Sequence, residues 1–294
     1  MAQKIKEMEK ADPQKVVLFL ADGMRPDAML ACGHPFVQEL LSKTTYCMKA
    51  QTVDPSITLP AHMSLFHGVP PSTHGVLGNV EVIERPGLGI FEALGQHWRK
   101  LAFFCSWDEM RRVLDPNPYR SYLHRYYYRN GHENMDTDQR LVADAIKYIN
   151  KELPDFIFVY CGAPDMLGHN AGWMSEPYMQ AVYNSMECCK QVMENLPEGY
   201  AMIVTADHGG MGRGHGTLHP ECMTIPLCLY GKYFKKGKEL EEASILDIAP
   251  TAMDIIGWPR PKNWVGKSLV PFEGSPLGTR GESLIRVGGI WDRE

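Results

Sequence analysis

Short, uninterrupted apolar runs that stop at an acidic residue or a glycine constrain this chain most. Lys15–Leu20 is followed by Ala21-Asp22-Gly23, Asp155–Cys161 by Gly162, and Tyr200–Thr205 by Ala206-Asp207-His208-Gly209. Leu101–Cys105 and Pro226–Tyr230 are two further runs of this kind. A strand with one face in water alternates apolar and polar residues, whereas a continuous apolar strand is covered on both faces. Helical patterns lie between the runs, at Asp138–Lys151, Glu176–Leu196 and Ser244–Ile256, the last ended by Gly257 and Pro259. Strands alternating with helices predict an α/β layered fold with a mostly parallel central sheet flanked by helices.

The chain has 294 residues, 44% hydrophobic and 22% charged, which suffices for a sizeable core and is ordinary for a globular protein. We read residues 1–294 as a single domain. The stretch 85–136, which holds Arg111-Arg112 and a Tyr/Arg-rich run from Tyr119 to Arg129, reads as a small inserted cap beside the site. The Gly/Arg/Glu-rich tail after Phe272 reads as peripheral. A net charge of −5 argues against a nucleic-acid polymer or an anionic membrane as partner. The N-terminus is charged throughout, and no segment approaches the roughly 20 apolar residues that span a bilayer. Eight scattered cysteines without a C-x-x-C pair suggest free thiols in a reducing compartment, so the expected location is cytoplasmic.

Ligands of open α/β sheets bind beyond the carboxyl ends of the strands, and acidic and imidazole residues gather there in this chain. Asp22 closes the first strand and can coordinate a cation, although Asp-Gly is also a common turn pair. Thr58 precedes Leu59-Pro60 and an apolar helix to about His67, so it sits at or next to the N-cap. It reads there as a capping residue, or as a hydroxyl that a metal could activate for attack on phosphorus. Asp165 and His169, four apart, share one helix face; they suit zinc or manganese, or form a solvated turn. Asp207-His208-Gly209-Gly210, followed by Gly214-His215-Gly216, is the most specific signal, because the glycines let the backbone turn both side chains inward. His62, His67 and His74 read as packing residues, and His219 competes with His215 as a ligand.

In this order the motifs resemble the alkaline phosphatase superfamily, most closely its nucleotide pyrophosphatase/phosphodiesterase branch, over Lys15 to Leu269. Asp247-Ile248-Ala249-Pro250-Thr251 and Trp264-Val265-Gly266-Lys267-Ser268-Leu269 resemble that superfamily's closing segment. The resemblance implies an alkaline-phosphatase-like fold with two divalent metal ions, usually zinc in this branch, with manganese as the other candidate. Asp22, Thr58, Asp207 and His208 would hold one ion, and Asp165, His169 and His215 the other. Thr58 would be the nucleophile, and Asn79, in Gly75-Val76-Leu77-Gly78-Asn79, would donate to a non-bridging phosphate oxygen. The implied activity is hydrolysis of a phosphodiester or pyrophosphate bond in a small-molecule phosphate ester through a phospho-threonine intermediate. A phosphonate hydrolase or phosphomonoesterase on the same site, and a non-catalytic metal-binding protein, are the alternatives. A sulfatase would need a Cys-x-Pro-x-Arg stretch, and none of the cysteines sits in one. Relatives in the branch often carry Phe-Pro-Asn-His after the threonine, where this chain has Leu59-Pro60-Ala61-His62.

Overall fold

Every residue of the first strand from Val16 to Ala21 has zero exposure, so both faces of the sheet around it are covered. A computed structural model of the protein describes residues 14–79, 87–96, 99–114 and 134–271, and the backbone of 123–127. Its strands are β1 (Lys15–Ala21), β2 (Thr45–Gln51), β3 (Leu101–Cys105), β4 (Leu123–Tyr127), β5 (Phe156–Cys161), β6 (Tyr200–Thr205), β7 (Thr224–Tyr230) and β8 (Lys238–Glu239). They form one sheet in the order β4-β3-β5-β1-β6-β7-β2-β8. β7 alone runs against the rest, because it pairs antiparallel with both β6 and β2 while the other pairings are parallel. No long crossover helix separates β6 from β7, so that connection returns the chain in the opposite direction.

The register decides where the site falls. Ala21 pairs with Cys161 and Leu20 with Thr205, so β5, β1 and β6 end at one level of the carboxyl edge. The residues that follow each strand, from Asp22, Gly162 and Ala206 onward, therefore emerge side by side. The helix Thr58–His67 starts on the segment that leaves β2, and Ile57 in extended backbone is its N-cap, which places Thr58 in the first helical position.

One group of helices, Met135–Glu152, Glu176–Glu194, Pro26–Ala31 and Phe36–Lys43, packs together, and a second gathers around Thr58–His67 and Ile248–Ile256. β1 touches both Glu176–Glu194 and Ile248–Ile256. Asn134 caps the first of these helices by accepting from the Thr137 N–H at 2.9 Å, and Ser175 caps Glu176–Glu194. The fully buried Asp138 accepts from the N–H groups of Gly162 and Ala163, both at 3.1 Å, which fixes the start of the helix Ala163–Ala171 on the neighbouring helix. Phe158 is at the centre of an aromatic cluster, 4.9 Å from the Phe103 ring, 5.0 Å from Phe66 and 5.8 Å from His62.

The mostly parallel sheet, the flanking helices and the five expected strands are present, with ends shifted by two residues at most. β2, β4 and β8 and the helices Pro26–Ala31 and Phe36–Lys43 are additions. β2 alternates buried and partly open positions and carries Lys49, so its pattern is not that of a central strand. The reading of 85–136 as an inserted cap is corrected in part. Its segment β3 pairs with β5, and β4 pairs with β3 at the edge, so both extend the main sheet, because Leu101–Cys105 is buried on both faces. Arg111 and Arg112 lie in a 3₁₀ turn, Asp108–Val113, paired with Asp108 and Glu109. Residues 80–86, 97–98, 115–122 and 128–133, and the tail from 272, lie outside the described residues. All eight cysteines are free, and no helix among the described residues is long and apolar enough to cross a membrane. Phe158→Ala should lower the unfolding free energy by about 3–5 kcal/mol, measured by urea titration, since it opens a cavity where four aromatic rings meet.

Candidate metal centre

Two groups of side chains converge at the carboxyl edge: Asp22, Asp207 and His208, all buried, and Asp165, His169 and His215, which are more open. Each group is assembled from segments far apart in sequence. Gly23 is required where it stands, since its φ is +67° and a Cβ there would lie 3.0 Å from the Asp165 Cα. Gly209 has the same role on the other side, because a Cβ would come within 2.0 Å of the Glu221 carbonyl oxygen.

The imidazoles are held in one sense. Nδ1 of His208 faces the Gly209 carbonyl oxygen at 2.8 Å, Nδ1 of His215 that of Ser56 at 2.9 Å, and Nδ1 of His169 that of Arg213 at 3.0 Å. A carbonyl can only accept, so each Nδ1 carries a proton and Nε2 is the ring atom turned to the site. Those Nε2 atoms face other acceptors. His208 Nε2 lies 3.3 Å from Asp207 Oδ2, 3.4 Å from Asp22 Oδ1 and 3.1 Å from Thr58 Oγ1. His215 Nε2 lies 3.1 Å from His169 Nε2 and 3.7 Å from Asp165 Oδ1, and His169 Nε2 lies 3.5 Å from Asp165 Oδ2. Metal–ligand bonds of about 2.0–2.2 Å put neighbouring ligand atoms roughly 3–3.6 Å apart, close to these spacings. Lone pairs facing carboxylates repel unless a cation lies between them. Backbone carbonyls that fix the far nitrogen are the usual partners of metal-bound histidine.

The carboxylates are aimed by their other oxygens. The Tyr160 hydroxyl donates to Asp22 Oδ2 at 2.5 Å and turns Oδ1 toward His208. The Gly23 N–H donates to Asp207 Oδ1 at 3.1 Å, leaving Asp207 Oδ2 buried with no hydrogen-bond partner among the described residues, as is Asp165 Oδ1. The groups adjoin, with His208 and His215 stacked at 3.8 Å and His208 Nε2 4.0 Å from Asp165 Oδ1. Burial raises Asp165 to about 7, and burial with the nearby Asp165 charge raises Asp207 to about 7. Burial, then the neighbouring His215, holds His208 well below the usual imidazole range, and burial lowers His215 too. The donor set of carboxylates, imidazoles and a hydroxyl fits a borderline or hard divalent ion, with no thiolate among it.

Asn79 also arrives at the site. Its Oδ1 accepts from the Leu59 N–H at 2.9 Å, at the start of the helix that carries Thr58, so its amide N–H groups remain as donors. His62 packs as expected, with its ring among Phe66, Phe158 and Tyr160, its Nδ1 2.7 Å from the Thr58 carbonyl oxygen, and burial lowering its pKa to about 4. His219 pairs with Glu221 and stands apart from both groups. Tyr160 and Trp173 are the site residues that sequence reasoning missed. A tyrosine near the carboxyl end of a strand buried on both faces is a legible signal, because its hydroxyl needs a polar partner there.

Comparison with known proteins agrees with this geometry. The type I phosphodiesterase / nucleotide pyrophosphatase family profile matches residues 16–89, and the metalloenzyme superfamily profile matches residues 128–260. The two segments carry all the residues of both groups, and the chain belongs to the alkaline phosphatase superfamily. Its N-terminal part thus matches the phosphodiesterase profile and its C-terminal part the metalloenzyme profile. Among solved structures, murine ectonucleotide pyrophosphatase / phosphodiesterase 5 superposes with a TM-score of 0.72 at 14% identity, covering 85% of this chain and 97% of that one. A sulfatase-like protein from Bacteroides thetaiotaomicron gives 0.70 at 14% identity, over 88% and 74%. Among curated relatives, 2,3-bisphosphoglycerate-independent phosphoglycerate mutase 2 of Methanosarcina acetivorans is 29% identical over 80% of this chain and 44% of its own length. The corresponding mutase of Desulforudis audaxviator is 34% identical over 45% and 26%. The chain thus spans under half the length of these curated relatives.

Protons compete with a metal for Asp165 and Asp207. Their folded-state pKa values, about 7, stand above the ordinary carboxylate value of 3.8, so each keeps its proton until pH approaches 7. Zinc binding to the metal-free chain at pH 6 should release about one to two protons and weaken as pH falls, while release should vanish above about pH 8. Calorimetry in buffers of different ionisation enthalpy measures this. An affinity independent of pH between 6 and 8 contradicts the assignment.

Proposed function

We propose that this protein hydrolyses phosphodiester or pyrophosphate bonds of small molecules with two divalent ions, by way of a phospho-threonine intermediate on Thr58. The observation that carries the reading is the convergence of three acceptor imidazoles on buried carboxylates, with Thr58 Oγ1 3.1 Å from His208 Nε2. Asp22, Asp207, His208 and Thr58 would hold one ion, and Asp165, His169 and His215 the other, with zinc or manganese as the metal. The ions when bound supply Lewis acidity, lowering the pKa of the Thr58 hydroxyl and neutralising charge on the entering and leaving oxygens.

The chain's own residues do the rest. Thr58 Oγ1 gives its proton to solvent and attacks phosphorus, forming a phosphate ester as the bond to the leaving oxygen breaks and that oxygen takes up a proton from water. Water then cleaves that ester and restores the hydroxyl. Thr58 stands in the first turn of a helix, whose partial positive charge favours an anion beside it. Asn79, held through its Oδ1, directs an N–H donor toward a non-bridging phosphate oxygen. The murine neighbour was captured with AMP as an inactive threonine-to-alanine variant, which supports a threonine role here.

The charge balance favours diesters. A monoester brings one more anionic oxygen, which calls for a further cation such as an arginine. Arg25 binds Asp27 and the Gly210 carbonyl oxygen, and Arg111 and Arg112 pair with Asp108 and Glu109. A phosphotransferase reading has one specific support, the mutase relative that matches 80% of this chain. It would use the same phospho-threonine and return the phosphoryl group to a second hydroxyl instead of water.

Thr58→Ala should leave the fold intact and lower kcat by roughly 10³-fold or more, with Thr58→Ser retaining activity. Near wild-type turnover in Thr58→Ala sinks the covalent mechanism. Asn79→Ala should lower kcat/KM by roughly 10²-fold with bound metal unchanged. Metal loss in that variant would make Asn79 structural. In a paired assay, bis-p-nitrophenyl phosphate should exceed p-nitrophenyl phosphate in kcat/KM, each corrected for its uncatalysed rate. A monoester preference moves the assignment to a phosphatase.

A further inference from the structure

We infer that Trp173 is the positioning residue of the second ligand group, a single wedge that holds His169 and His215 in the geometry which shares one ion. The inference rests on the two-ion reading above. Trp173 is 7% exposed and stands just past the helix Ala163–Ala171, after Gly172 with φ +102°. Its indole is enclosed by two glycines. A Cβ on Gly210 would come within 2.2 Å of the ring and one on Gly168 within 2.7 Å, so neither position has room for a side chain while the indole is there. Gly168 precedes His169, and Gly210 follows His208-Gly209.

The same side chain ties the other segments. Its Nε1 donates to the Gly23 carbonyl oxygen at 2.9 Å, one residue after Asp22, and its backbone N–H donates to the Gly212 carbonyl oxygen at 2.8 Å, in the loop that leads to His215. The ring meets His169 edge-on, with centroids 5.1 Å apart at 83°, and His215 at 5.9 Å and 64°. One residue therefore touches three segments: the turn after Asp22, the helix of Asp165 and His169, and the loop from Gly210 to His215.

Dependence on this wedge differs between the two groups. Asp22, Asp207 and His208 are buried at 1% exposure or less and are fixed by Tyr160, the Gly23 N–H and the Gly209 carbonyl. His169 has a 44% exposed side chain, and outside the ligand group it meets the carbonyl oxygen of Arg213, an exposed residue, and the Trp173 ring. Removing the indole frees His169 to rotate away from His215 while the first group keeps its supports. Gly23 is not orphaned, since the Tyr178 hydroxyl also donates to its carbonyl oxygen at 3.0 Å.

The test is zinc titration of the full metal-free chain by calorimetry, with melting temperature measured in parallel. Trp173→Leu should bind the first equivalent as wild type does and the second about 10–100-fold more weakly. Trp173→Phe keeps a ring between the glycines but loses the Nε1 donor, and should weaken the second equivalent alone by roughly 3–10-fold. Unchanged second-ion affinity in either variant overturns the proposal, and Trp173→Phe decides it if the leucine variant does not fold. Equal weakening of both ions together with a lower melting temperature of the metal-free chain marks a merely structural residue, and also overturns it. Wild-type protein that takes up fewer than two ions overturns the two-ion reading, and this proposal with it.

Discussion

Hydrogen-bond acceptors held face to face are the constraint on which the rest of the molecule depends. Three carboxylates and three imidazole lone pairs meet at the carboxyl edge of β5, β1 and β6, in a setting where burial raises Asp165 to about 7 and burial with the nearby Asp165 charge raises Asp207 to about 7. An assembly of acceptors in a low-dielectric pocket destabilises the fold unless cations or protons neutralise it. The surroundings are built to hold that arrangement: strand register brings the ligands level, backbone carbonyls fix the ring tautomers, and Tyr160 aims Asp22. The metal centre and the core are thus one structure. The phenylalanine-rich cluster beneath β5 reaches His62 and Tyr160, which contact Thr58 and Asp22 in turn.

Much of the fold was legible in the sequence because its central strands are continuous apolar runs, a pattern that only a sheet covered on both faces produces. β1, β5 and β6 carry the signal plainly, and each ends on the residues that matter. The peripheral elements were not legible. β2 mixes buried and open positions, and β4 is an edge strand inside a Tyr/Arg-rich stretch whose composition suggests a cap. The first helix position of Thr58 could be read from Pro60, because proline is tolerated only in the first turn.

The candidate site separates into what local pattern can and cannot show. Asp22, Asp165, His169, Asp207, His208 and His215 stand at strand ends or at helical spacing, so their types and positions announce a shared chemistry. The support does not. Trp173 acts through Gly168, Gly210 and Gly23, three residues brought to it by the fold, and no one-dimensional spacing links them. The same holds for Asn79, whose contact with the Leu59 N–H spans twenty residues and fixes an amide that otherwise looks like a loop residue.

The comparisons leave the substrate open, since the proteins this chain resembles include phosphodiesterases, mutases and a sulfatase-like protein. The central claim is that two cations share this cluster of acceptors. Diffraction from wild-type crystals grown with zinc, measured at the zinc absorption edge, tests it most directly. The account predicts two anomalous peaks, one bounded by Asp22, Thr58, Asp207 and His208 and the other by Asp165, His169 and His215. A single peak at saturating zinc, or peaks away from these residues, would contradict it.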